Sequence, residues 1–258
     1  MTTAQWTVDD LVPLVPDVQG GFARNFIRQA VCELRFPLLM SLSGVKPPEK
    51  FVNALRKRFP IAAAVNEVTL GATEGAISGH SHQFKSSKLT WTVRLKQDAV
   101  SLETQSYTTF SDFRERVREV LDAALLVIDS DFFTRVGLRY INVIPMENST
   151  ITDWINPALV APLSGHGFRG VSEFAGKFAL NADDGGCLLQ HGLRLKSEES
   201  GPTTAPQEYV IDVDASRLDI KADEVMAALD SAHRQAFSLF SWALGAKATS
   251  RLRGNDQP

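Results

Sequence analysis

The sequence predicts an α+β protein in which one series of elements, β-α-β-β-β-α, runs twice and forms a curved antiparallel sheet with two long helices on one face. Three observations predict it. Residues 89–96 alternate without error, with Leu89, Trp91, Val93 and Leu95 on one side and Thr90, Thr92, Arg94 and Lys96 on the other, as a strand with one buried and one wet face requires. Two long stretches carry apolar residues at helical spacing: Phe110, Phe113, Val117, Val120, Leu121, Leu125 and Ile128, and later Val225, Leu229, Ala232, Ala236, Leu239, Phe240 and Ala243. Short phrases also recur at corresponding places, Phe26-Ile27-Arg28 with Phe133-Thr134-Arg135 and Val93-Arg94-Leu95-Lys96 with Leu193-Arg194-Leu195-Lys196. Order of elements is harder to repeat by accident than a tetrapeptide, so the recurrence of both is read as an internal duplication.

The elements follow in order. Residues 1–24 form an N-terminal extension that Pro13 and Pro16 keep from becoming a long helix, with Trp6, Leu11, Leu14 and Val15 available for packing. The first repeat spans 25–130. It opens with a strand over 25–39, whose faces are Ala30, Cys32, Leu34 and Phe36 against Val31, Glu33 and Arg35. Pro47 and Pro48 open a short helix with the stripe Phe51, Val52, Leu55 and Phe59, stopped by Pro60. A loose Ala- and Gly-rich segment runs to about Gly79, three strands follow, Gln97 and Asp98 turn the second into the third, and Thr109 caps the long helix.

The second repeat, 131–245, begins with a strand over 132–146, followed by a short helix announced by Asn156 and Pro157. Strands over 171–181 and 187–196 join at Gly185 and Gly186. After a polar loop over 197–207 the last strand covers 208–215, and the second long helix closes the unit. Residues 246–258 read as a flexible tail.

Composition removes several function classes. Among 258 residues, 44% are hydrophobic and 22% charged, which is globular and neither disordered nor collagen-like. No apolar run is long enough to span a bilayer, and the first residues lack the basic start and apolar run of a signal peptide, so a cytoplasmic protein with no membrane partner is expected. Two cysteines, Cys32 and Cys187, suffice neither for a disulfide scaffold nor for a metal motif. The net charge is −3, and neither half is strongly basic: 15 basic against 14 acidic side chains over 1–130, and 12 against 16 over 131–258. A protein that coats nucleic acid needs many phosphate contacts, which this balance disfavours.

No motif supplies chemistry in its required context. Gly165-His166-Gly167-Phe168-Arg169-Gly170 matches a dinucleotide fingerprint by letter, but it follows a helix and opens a strand, the reverse of what phosphate binding needs, and reads as a turn. His80 and His82 share a strand face with Phe84. That is the rim of an apolar face, and a metal would require a third ligand. Asp212 and Asp214, with Asp219, Asp223 and Glu224 beyond, have oxygen-ligand spacing, but cross-strand pairing with Arg194 and Lys196 would satisfy the same groups and is the favoured reading. No catalytic residue, metal ligand or cofactor is therefore assigned.

The unusual residues lie on the long first strands: Arg28, Glu33 and Arg35 in one half, Arg135, Arg139, Tyr140 and Asn142 in the other. A buried charge needs a partner, so Glu33 is expected to pair with Arg35 or Arg139 in a network across the middle of the molecule. The functional alternative makes Glu33, Arg35, Arg135, Arg139, Tyr140 and Asn142 a ligand- or partner-binding set at the junction of the halves.

Several phrases resemble a sporadically distributed bacterial family of uncharacterised proteins of about this length: Val31-Cys32-Glu33-Leu34-Arg35-Phe36, Trp91-Thr92-Val93, the stretches 101–107 and 110–113, Arg135 through Asn142, and Asp153-Trp154-Ile155-Asn156-Pro157. The resemblance implies no activity. The patchy distribution of such a family implies an accessory role, of the defence or toxin-antitoxin kind. The predicted architecture itself resembles the duplicated saddle of the TATA-box-binding protein, a likeness that carries no function. Three function classes follow. The favoured one is a non-catalytic binding or regulatory protein that presents its polar sheet face or inter-repeat cleft to a protein partner. The others are a nucleic-acid saddle using Arg94, Lys96, Arg194 and Lys196, and an enzyme with a site at Glu33, Arg135, Arg139 and Tyr140.

Overall fold

The computed structural model describes residues 6–15, 22–70, 76–146, 150–164, 171, 173–195 and 207–255, without the side chains of 66–70, 76–80, 194–195 and 207. The protein is α+β with a large antiparallel sheet. Its strands hydrogen-bond in the order β2-β3-β4-β5-β1-β6-β9-β8-β7, where β1 is Ile27–Arg35, β2 Ile61–Leu70, β3 Ala76–Lys85, β4 Trp91–Leu95, β5 Ala99–Thr104, β6 Phe132–Pro145, β7 Glu173–Ala182, β8 Gly185–Leu195 and β9 Gln207–Lys221. The helices are α1 Glu49–Leu55, α2 Phe110–Leu125, α3 Ile151–Trp154, α4 Pro157–Val160, α5 Val225–Ala243 and α6 Ala246–Leu252. No helix among the described residues is long and apolar enough to cross a membrane.

Contacts divide the chain into two compact units: Met1–Arg28, Arg139–Ala215 and Ser231–Pro258 form the first, Gln29–Leu138 and Ser216–Asp230 the second. The division differs from the expected cut near residue 130, because β6, β9 and α5 each contribute residues to both units.

In the second unit the expected alternation is realised. Ala30, Cys32, Leu34 and Phe36 are buried, as are Trp91, Val93 and Leu95 with Val100 and Leu102. The turn at Gln97 and Asp98 closes with a bond from Lys96 N to Ala99 O of 2.8 Å. Leu89 departs from expectation. It stands at φ 58° in the turn before β4 and is 62% exposed, because its amide bonds back to Ser86 O and the strand starts only at Trp91. The second departure is β2, which occupies the segment expected to be loose. It is an edge strand whose residues 61–65 are all exposed, so burial imposes no period-two signal, and three successive alanines hide its strand character. Four strands rather than three therefore follow α1.

Thr109 Oγ1 accepts the Asp112 amide at 3.2 Å and caps α2 as its sequence requires. The helix buries Phe113, Val117, Val120 and Leu121, while Leu125 of the expected stripe stays exposed. Phe113 packs on Trp91 and Tyr107 at centroid distances of 5.9 and 6.0 Å, and the Arg116 guanidinium covers the Trp91 ring at 4.4 Å. Arg58, just beyond α1, reaches Glu119 of α2 at 2.8 Å.

In the first unit the N-terminal segment is anchored, though not by the side chains expected. Val8 and Val12 are buried, whereas Trp6, Leu14 and Val15 are exposed. Val8 N donates to Asp184 Oδ1 at 2.8 Å, the Gln235 amide donates to Val8 O, Ser231 Oγ donates to Asp9 Oδ1 at 2.9 Å, and Val15 N donates to Ser238 Oγ at 3.1 Å. Gln235 and Ser238 are buried polar residues of α5 that bond to this segment, and Gln235 Oε1 also accepts Cys187 Sγ at 3.2 Å.

The expected flexible tail is corrected by α6. Ala248 and Leu252 are buried, Arg24 N donates to Leu252 O at 3.1 Å, and Lys247 Nζ and Arg251 Cζ lie 4.9 and 5.7 Å from the ring centre of the fully buried Trp154. Seven residues are too short for a convincing periodic signal, and Trp154, far away in sequence, gives Lys247 and Arg251 a ring to lie on.

Candidate functional site

Alternation along β1 leaves Val31, Glu33 and Arg35 on the face away from the core. Glu33 Oε1 accepts Arg35 Nε at 2.7 Å and lies 3.5 Å from Arg135 Nη1 of β6. The guanidinium of Arg135 lies across Gly137, and a Cβ at that position would collide with it. A larger residue at this position would make the guanidinium shift from where it lies.

Register extends this face across the second unit. Glu33 stands opposite Ser101 of β5, and Ser101 opposite Arg94 of β4. Arg94 Nη2 lies 3.8 Å from Glu103 Oε2, and Gln29 Nε2 donates to Glu103 Oε1 at 2.8 Å. The result is an interleaved polar surface of Gln29, Glu33, Arg35, Arg94, Glu103 and Arg135. Behind it, Cys32 faces the core, where burial pushes its thiol up to about 12 and keeps it from acting as a thiolate.

In the first unit Arg139 takes Asp212 as its partner, with Nε to Oδ1 at 2.8 Å and Nη2 to Oδ2 at 2.6 Å, a bidentate charge-assisted pair that raises the guanidinium pKa further. Neighbouring residues of β6 point the other way. Tyr140 is buried with its hydroxyl 3.1 Å from His233 Nδ1 of α5, and buried Asn142 donates to Ile211 O of β9 at 3.3 Å. Tyr140 and Asn142 are core ties between elements; a β-strand cannot turn them to the face that carries Arg139.

The six expected site residues thus fall into separate groups: Glu33 with Arg35 and Arg135, Arg139 with Asp212, and Tyr140 and Asn142 in the core. Of the candidate nucleic-acid set, Arg94 is engaged with Glu103, while Lys196 and the side chain of Arg194 lie outside the described residues. The glycine-rich stretch 165–170 and the His80 side chain also lie outside them. His82 and Phe84 are both buried, with Phe84 packed on Phe51 at 5.4 Å. Among the described residues no three His, Cys, Asp or Glu side chains converge on a common metal position. Asp212 is committed to Arg139, Asp219 stands at φ 53° near the end of β9, and Asp223 and Glu224 are exposed just before α5, where negative charge complements the helix dipole.

Two contacts escaped sequence reasoning because their partners are remote in the chain. Arg114 of α2 holds Asp230 of α5 through Nε at 2.6 Å and Nη2 at 2.9 Å. His191 Nδ1 lies 2.6 Å from Tyr209 Oη, with the imidazole lying over Gly176 on the neighbouring strand. Burial lowers the His191 pKa and raises that of Tyr209, so a neutral imidazole and a neutral phenol share this hydrogen bond. Since the folded value is below the unfolded one, the unfolded chain binds the proton first. Stability is complete above the unfolded value of about 6.5 and is lost as pH falls toward the folded one. Urea midpoints between pH 7.5 and 5 are expected to show this acid-side loss in the native protein and a smaller one in His191→Gln.

No protein-family model and no curated protein matches this chain.

Proposed function

We propose that the protein is a non-catalytic binding or regulatory module that presents the polar sheet face of Gln29, Glu33, Arg35, Arg94, Glu103 and Arg135 to a protein partner. The observation that supports this is the interleaving of carboxylates and guanidiniums on one face, each within reach of an opposite charge. Such a surface suits the mixed polar rim of another protein better than a phosphate backbone, which Glu33 and Glu103 would repel. None of these groups is a nucleophile with a base beside it, which argues against an enzyme here.

We also read the chain as two copies of one ancestral unit. The strand order β3-β4-β5-β1 in one series corresponds, element for element, to β7-β8-β9-β6 in the other, with β2 as an addition to the first. This is the arrangement expected of a duplicated saddle, and it supports the likeness to the TATA-box-binding fold without lending its function.

The test is affinity capture from cells that express the protein. The native chain is expected to retain a stoichiometric second polypeptide, and Arg35→Glu with Arg94→Glu to lose it while circular dichroism stays unchanged. Both arginines are well exposed, so the fold should tolerate the reversal. Absence of any second polypeptide would remove the reading. Salt-sensitive binding of a labelled oligonucleotide would replace it with the nucleic-acid one.

A further inference from the structure

The sheet order ends at β7, and no strand among the described residues pairs with its outer side. A strand edge offers a row of backbone donors and acceptors, and proteins usually blunt it with charged side chains of one sign, a proline, a bulge or inward charges, whereas the two charges on β7, Glu173 and Lys177, are of opposite sign. Over its ten residues, Glu173 through Ala182, β7 has no proline, and its register with β8 runs unbroken from Glu173 opposite Arg194 to Ala182 opposite Gly185.

The sequence of the strand identifies the occupant. Glu173, Ala175 and Lys177 lie on one face and are all exposed. In an antiparallel pair of two identical strands centred on Ala175, each Glu173 falls directly opposite Lys177 of the partner subunit, so a single two-fold axis creates two opposite-charge cross-strand pairs. On its inner side Lys177 stands opposite uncharged Gln190, which leaves its charge available for this role. A small residue, Ala175, occupies the axis, where two large side chains would collide.

We infer that β7 is a homodimerisation edge, at which two copies of this chain pair antiparallel about Ala175. The pairing spans Glu173 to Lys177 of each copy. It is independent of the polar face proposed above and uses residues of the first unit only.

The full chain is tested by sedimentation across a range of concentrations. The native protein is expected to dimerise, Glu173→Lys and Lys177→Glu each to weaken the dimer roughly tenfold or more by setting like charges opposite one another, and the double exchange to restore it. Restoration is the decisive arm, since a merely damaged strand would not recover when carrying both changes. Ala175→Cys gives a second readout, because residues directly opposite on antiparallel strands stand close enough for a disulfide; oxidation should link two copies, whereas Asn181→Cys, away from the axis, should not. Cys32 and Cys187 are buried and do not compete. A native chain that stays monomeric, a dimer indifferent to Lys177→Glu, or equal crosslinking at both positions would overturn the inference.

Discussion

Trp154→Ala is expected to destabilise the protein by about 3–5 kcal/mol, the range for emptying the site of a large buried aromatic. Trp154 is fully buried, and its backbone carbonyl also accepts the Gly245 amide at 2.8 Å, at the start of the final helix. The substitution should therefore do more than shift the urea midpoint. Lys247 and Arg251 lose the ring on which they lie, so amide exchange over Ala246–Leu252 is expected to accelerate beyond what the global loss accounts for. Trp154→Phe keeps an aromatic face and should retain much of that local protection. Exchange in α6 that follows only the global midpoint would mean that burial of Ala248 and Leu252 alone holds the helix.

Arg139→Ala is expected to cost about 1–3 kcal/mol, chiefly through what it leaves behind. The Asp212 side chain is only 12% exposed, and without the guanidinium its two oxygens lose both charge-assisted bonds. Because Arg139 itself is 45% exposed, the loss should fall short of that for a fully buried pair. A cycle of Arg139→Ala, Asp212→Ala and the double variant, measured by urea unfolding, should give a coupling of about 1–2 kcal/mol, with the double variant less damaged than the sum of the two. A coupling near zero would mean that solvent replaces the pair without loss, and Arg139 would return to the list of groups open to an external anion.

The polar residues of the first strands show how far a sequence can be read toward a site. Glu33, Arg35, Arg135 and Arg139 stand out as charges in strands that ought to be central, and charged residues there do find partners. Which partner each one takes was not legible. Arg139 is bound by Asp212 from a strand more than seventy residues away, a choice set by the placing of β9 beside β6. Tyr140 and Asn142 look like members of the same cluster when written in a line, but period-two alternation sends them into the core, to His233 and to the Ile211 carbonyl. Gly137 gave no signal at all, because the reason for it is the side chain two residues earlier lying over its Cα.

By itself the sequence determined the α+β class, the caps at Thr109 and Asn156, the turn at Gln97 and Asp98, and which faces of β1, β4, α2 and α5 are buried. Each of these rests on local physics: hydrophobic periodicity, a side-chain oxygen next to open amides, a proline in a first turn. Tertiary structure alone decided that residues 61–70 form an edge strand, that the last residues before Gly254 fold back as a helix beside Trp154, that the N-terminal segment is held by Gln235 and Ser238, and which charges pair on the sheet. For the N-terminal segment, the last helix and Arg139 the stabilising partner lies far along the chain, so neighbouring residues carry no trace of it, whereas β2 pairs with the next strand and hides its character because its exposed residues need no alternation.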